Sequence, residues 1–95
     1  MIRRRPSHKK DFAHCAEMLK ALAHPTRLMI LQALLKKKGC VKDLEKSLAK
    51  PQANISQHLA ILRKEGIIGF VAQGKSRCYY LKEIDSIEKI FSCVG

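Results

Sequence analysis

The 95 residues are enough for one domain, and their 46% apolar content suits a packed core rather than a disordered chain. Lys and Arg number 19 against 8 Asp and Glu, a formal charge of +11 that calls for an anionic partner, nucleic acid first. No apolar run approaches the ~20 residues of a membrane span, and no apolar signal core follows the basic start, so a cytoplasmic protein with no membrane partner is expected.

Residues 1–10, with Arg3, Arg4, Arg5, Lys9 and Lys10, are predicted to form a basic flexible arm, which either tracks DNA phosphates or is a solvated tail that aids solubility. Residues 11–95 are predicted to form a single DNA-binding and dimerisation domain. Asp11 to Leu22 reads as a helix: Phe12, Cys15, Ala16, Leu19 and Leu22 recur at spacings of 3 and 4, and Asp11 can cap the start. His24-Pro25 breaks the chain, and Pro25 suits the first turn of a second helix. Leu28, Leu31, Leu34 and Leu35 give that helix its buried stripe; Lys36 to Lys38 complement its C-terminal dipole, and Gly39 is placed to end it.

Val41–Ala49 reads as a short third helix and Gln52–Glu65 as a fourth, with Lys50-Pro51 as the turn and Gly66 as the stop. The fourth helix is polar on one face and apolar on the other. Residues 67–73 and 77–81 are β-rich around a turn at Gln73-Gly74-Lys75-Ser76, which predicts a hairpin. Glu83 to Val94 is a last helix, on which Ile84, Ile87, Phe91 and Val94 recur at 3, 4 and 3. This stripe has no evident place in so small a core. With Phe12 and Leu19 of the first helix it is expected to form a homodimer contact. The fold class is therefore mostly α with a small β-hairpin: a winged helix-turn-helix of about five helices and a two-stranded wing.

That arrangement reads double-stranded DNA. Gln52, Asn54, Ser56 and Gln57 are the predicted groove-facing residues, since Gln and Asn pair bidentately with adenine. His58 is a predicted base or phosphate contact, and Arg63 and Lys64 are predicted to meet phosphates. Lys75 and Arg77 at the wing suit a minor groove or the backbone.

Leu22-Ala23-His24-Pro25-Thr26-Arg27-Leu28 resembles the Leu-(Ala/Ser)-(His/Asp)-Pro-x-Arg-Leu stretch of the ArsR/SmtB repressors. Asn54-Ile55-Ser56-Gln57-His58-Leu59-Ala60-Ile61-Leu62-Arg63 is similar to their recognition helix. Gly66-Ile67-Ile68, and Gly74-Lys75-Ser76 through Tyr79 to Leu81, look like their wing. The resemblance spans residues 11–82. It implies a homodimeric repressor on an inverted-repeat operator, released by an inducer: a metal or metalloid ion in many members, oxidants or reactive sulfur in others. Some members sense nothing.

The family's metalloid sensors carry Cys-Val-Cys-Asp-Leu where this chain has Cys40-Val41-Lys42-Asp43-Leu44, so Lys42 replaces the second thiolate. Its zinc sensors use Asp and His on the last helix, which here holds Asp85 and Glu88 but no histidine.

Any sensor is therefore expected to be thiol-based and centred on Cys40, whose helix N-terminus and Lys neighbours lower a thiol pKa. Cys15 or Cys93 is its expected partner, in a disulfide switch or in a site for a thiolate-bound metalloid or metal ion. Cys78 is expected only to pack or to face solvent. Ser56 with His58, and Cys40 with His24, lack a third orienting group, so no enzyme is expected. The alternatives are a regulator without sensing and a winged helix used for protein contacts. RNA binding fits poorly with two Tyr, three Phe and no Trp to stack bases.

Overall fold

The computed structural model describes residues 11–94, and the expected basic arm lies outside them. Five helices and three strands follow in the order α1 (Phe12–Leu22), α2 (Pro25–Lys36), β1 (Gly39–Cys40), α3 (Val41–Leu48), α4 (Gln52–Lys64), β2 (Ile68–Gln73), β3 (Ser76–Leu81) and α5 (Ile84–Val94). The winged helix-turn-helix expected from the pattern is the fold observed.

Local chemistry sets the helix ends. Asp11 Oδ1 accepts the His14 backbone N–H at 3.1 Å and caps α1. His24 takes the same role for α2, its Nδ1 accepting the Thr26 N–H at 3.1 Å, with Pro25 in the first turn. The end of α2 differs from expectation. Lys37 leaves the helix in extended backbone at φ −172°, and Gly39 belongs to a strand. At the end of α3, Ala49 adopts the left-handed conformation at φ 53° that glycine more often supplies.

The sheet has three antiparallel strands in the order β1-β3-β2. Ile68 pairs with Leu81 at the base of the wing and Gln73 with Ser76 at its tip. The pattern predicts two strands. The third, β1, pairs only Gly39 with Tyr79 and Cys40 with Cys78, and two residues are too short to show an alternating pattern.

Ile30 and Leu31 of α2, Ile55, Leu59 and Leu62 of α4, and Ile67 and Ile68 entering β2 are fully buried. Each such side chain contributes roughly 1.5–3 kcal/mol by leaving water. The core thus lies where α2, α4 and the base of the wing meet, and it fixes α4 relative to the hairpin. Helix α5 departs from the dimer expectation in part. Ile87 is buried in this chain's own core and Phe91 is half-buried against it, because α5 packs on α2. Ile84, Phe12 and Leu19 stay exposed.

Candidate nucleic-acid interface

Helix α4 has two opposed stripes. Ile55, His58, Leu59 and Leu62 are buried. Gln52, Ser56, Ala60 and Arg63 fall at spacings of 4, 4 and 3, so they share one outward face. That face forms one wall of an open groove. The wing forms the other, with Lys75 and Arg77, and Lys42 of α3 closes one end. Gln57 and Lys64 are exposed beside the groove.

Two expected contacts sit differently. Asn54 is half-buried, and its Oδ1 is buried without a hydrogen-bond partner. His58 is a correction: it is 9% exposed and turned into the molecule. Its Nδ1 accepts from Arg27 Nε at 3.2 Å, and its ring lies 4.4 Å from the ring of His24. Arg27 also donates from one terminal nitrogen to the carbonyls of Lys20 and Ala21, both at 3.2 Å, and so ties α4 to the end of α1. Burial pushes the His58 pKa below its usual 6.5, and the positive neighbours His24, Arg27 and Lys50 push the same way. His58 lies one residue past Gln57 on a 3.6-residue helix, and position alone separates the inward His from the outward Gln.

Lys42 is the groove residue that the sequence reading misses. Its pattern places it at a lost thiolate position, but it is exposed and lines one end of the groove. Arg63 and Arg77 share a neighbour: their guanidinium carbons lie 4.3 and 4.5 Å from the centre of the Phe70 ring.

The cysteines pair differently from expectation. Cys40 is bonded to Cys78, which lies directly opposite it across β1 and β3, with Cα atoms 3.9 Å apart. The signal is the strand pairing, which cannot be read without β1. Cys15 and Cys93 are free thiols, half-buried and exposed respectively. Among the described residues no three His, Cys, Asp or Glu side chains cluster as metal ligands. No described helix is long and apolar enough to cross a membrane.

Residues 24–69 match the family model described as bacterial regulatory protein, arsR family. The chain is 39% identical over 86 residues to an HTH-type transcriptional regulator of Methanocaldococcus jannaschii, covering 90% of this chain and 96% of that protein. It is 37% identical over 78 residues to the HTH-type transcriptional repressor SmtB of Mycobacterium tuberculosis, covering 82% of this chain and 58% of SmtB. Among solved structures, HlyU from Vibrio cholerae superposes with a TM-score of 0.81 at 32% identity, over 92% of this chain and 98% of that one. A polar outer face on α4, a basic wing beside it and these likenesses lead to one conclusion: the chain belongs to the ArsR family of DNA-binding transcriptional regulators, not enzymes.

Proposed function

We propose that this chain is a cytoplasmic, homodimeric repressor that binds an inverted-repeat operator and is released by an inducer acting on cysteine thiols. The observation that carries the DNA reading is the single groove shared by α4 and the wing, where Lys42, Gln52, Ser56, Arg63, Lys75 and Arg77 converge. Gln52, Ser56 and Gln57 suit base edges, while the cations suit phosphates. Support for the dimer comes from α1 and α5: Phe12, Leu19 and Ile84 are 76%, 62% and 52% exposed, an apolar surface that a second copy would cover. Two copies related by a twofold axis would set their α4 helices about 34 Å apart, on successive major grooves.

For the inducer, the Cys40–Cys78 bond favours disulfide chemistry over a metalloid site. Cys40 is half-exposed and Cys78 is buried, so an oxidant reaches Cys40 first. Peroxide transfers one oxygen to the Cys40 thiolate, leaving a sulfenic acid and hydroxide. The Cys78 thiol then attacks that sulfur, the S–S bond forms and water departs, so both electrons end on the peroxide. The bond staples the wing to the segment that opens α3. A duplex that needs the wing and the start of α3 to shift against each other is then held less tightly, a difference in affinity between two states.

The test is a gel shift on the protein's own promoter, reduced and then with peroxide, polysulfide, As(III), Zn(II) or Cd(II). Release by peroxide that Cys40→Ser or Cys78→Ser abolishes, while Cys15→Ser and Cys93→Ser do not, is the expected result. Release by As(III) alone, or loss of response only on changing Cys15 or Cys93, would overturn the disulfide reading. A protein that ignores duplex DNA in low salt would overturn the repressor reading itself.

A further inference from the structure

We propose that Phe70 is a positioning residue for the DNA backbone. Its ring gathers the guanidiniums of Arg63, from the last turn of α4, and Arg77, from β3, into one two-pronged phosphate clamp. The inference rests on the DNA-binding reading and adds to it a side chain that touches no DNA.

Both guanidinium carbons lie within the ~6 Å at which a cation is held by an aromatic face. Two like charges drawn to one ring repel each other. Neither has a carboxylate partner among the described residues, whose one salt bridge is Lys20 with Glu17 on α1. Phe70 therefore offsets part of a repulsion that a nearby phosphate would reduce further. Both arginines also line the groove shared by α4 and the wing, where a duplex backbone would supply that anion.

The ring itself is well fixed. Phe70 is half-buried against the core, pairs across the strands with Tyr79, and has its ring centre 5.8 Å from the Tyr79 ring. Arg63 and Arg77 come from two elements that already share the core, a helix end and a wing strand. One rigid ring between them couples the two, so helix and wing engage neighbouring phosphates together.

The test uses the whole reduced chain and a random-sequence duplex of about 30 bp, titrated over a range of KCl, because backbone contacts are counted by the salt slope. Phe70→Leu keeps an apolar side chain and removes the π face. It is expected to weaken binding about 3- to 10-fold, the size of a cation–π contact. It should also flatten the slope by about 1 to 2, since each phosphate contact accounts for roughly 0.9. Phe70→Tyr keeps the face and should restore the slope. Arg63→Ala and Arg77→Ala should lose less together than the sum of their separate losses, a coupling that leaves the core untouched and can be read even if Phe70→Leu folds poorly.

A wild-type slope in folded Phe70→Leu, a Tyr variant as defective as Leu, or strictly additive arginine losses would each overturn the clamp. In those cases the wild-type chain still binds duplex. If wild-type chain binds no duplex at all, the DNA reading fails instead.

Discussion

The two faces of α4 are built by different rules. On the inner face, Ile55, Leu59 and Leu62 are fully buried and His58 is locked to Arg27, so shape and hydrogen bonding specify each residue. On the outer face, Gln52 and Ser56 border open space, and packing leaves them free. The inner face therefore places the helix, and the outer face is available to read a partner. The two should separate cleanly under mutation. Leu59→Ala is expected to cost about 2–5 kcal/mol of folding stability, the range for a truncated core leucine. Ser56→Ala should leave the melting temperature near that of the parent. Thermal melts of both variants check this, and equal losses would break the contrast.

The disulfide lies outside α4, between β1 and β3, and its effect on stability ranks next. The Cys40–Cys78 bond spans 38 positions, enclosing α3, α4 and β2. Closing a loop of that size removes denatured-chain entropy worth about 4 kcal/mol. For a domain this small that corresponds to a shift on the order of 15 °C or more. Oxidised wild type should melt that much higher than the same protein in reductant, and Cys78→Ser should show no gap. A gap that survives in Cys78→Ser would locate the cross-link elsewhere.

Periodicity was enough to locate all five helices, although the stripe residues Phe12, Leu19 and Ile84 stay exposed. Gly74 at φ 62° and Gly66 at φ 76° mark real turns, as their lack of a side chain suggests. The misses share one cause: pairing between distant segments. Gly39 looked like a helix stop because its strand partner Tyr79 is 40 positions away. Cys78 looked inert because its register against Cys40 exists only once β1 exists. His58 looked like a DNA contact because its partners, Arg27 and His24, come from another helix. On the outer face no partner is needed, so Gln52, Ser56, Arg63, Lys75 and Arg77 were readable as the groove's walls from their chemistry and spacing alone. Lys42 was not, since only the packing of α3 brings it there.

Within the outer face a finer contrast sharpens base reading against backbone holding. Gln57→Ala should cost about 1–3 kcal/mol on the operator and blunt its preference over random duplex. Lys75→Ala should weaken both duplexes alike and reduce the salt slope by about 1. Competition titrations at several salt concentrations separate the two patterns, and a Gln57→Ala loss equal on operator and random DNA would deny it a role in base recognition.

The smallest expected effect returns to the inner face and follows from protons. Burial and the nearby His24, Arg27 and Lys50 charges depress the folded His58 pKa below its usual 6.5, while the unfolded chain keeps the usual value. Below that value the unfolded state binds more protons than the folded one, so stability falls as acid is added. His58 thus contributes its full share above about pH 6.5, and the contribution is lost as pH falls toward the lower folded pKa. The structural reason is concrete: the His58 Nδ1 that accepts from Arg27 cannot also hold a proton. Melting temperatures should therefore fall between pH 7.5 and 5.5. In His58→Gln, whose amide oxygen can still accept from Arg27 but takes up no proton, that fall should shrink. An unchanged fall in His58→Gln would assign the acid sensitivity to another group.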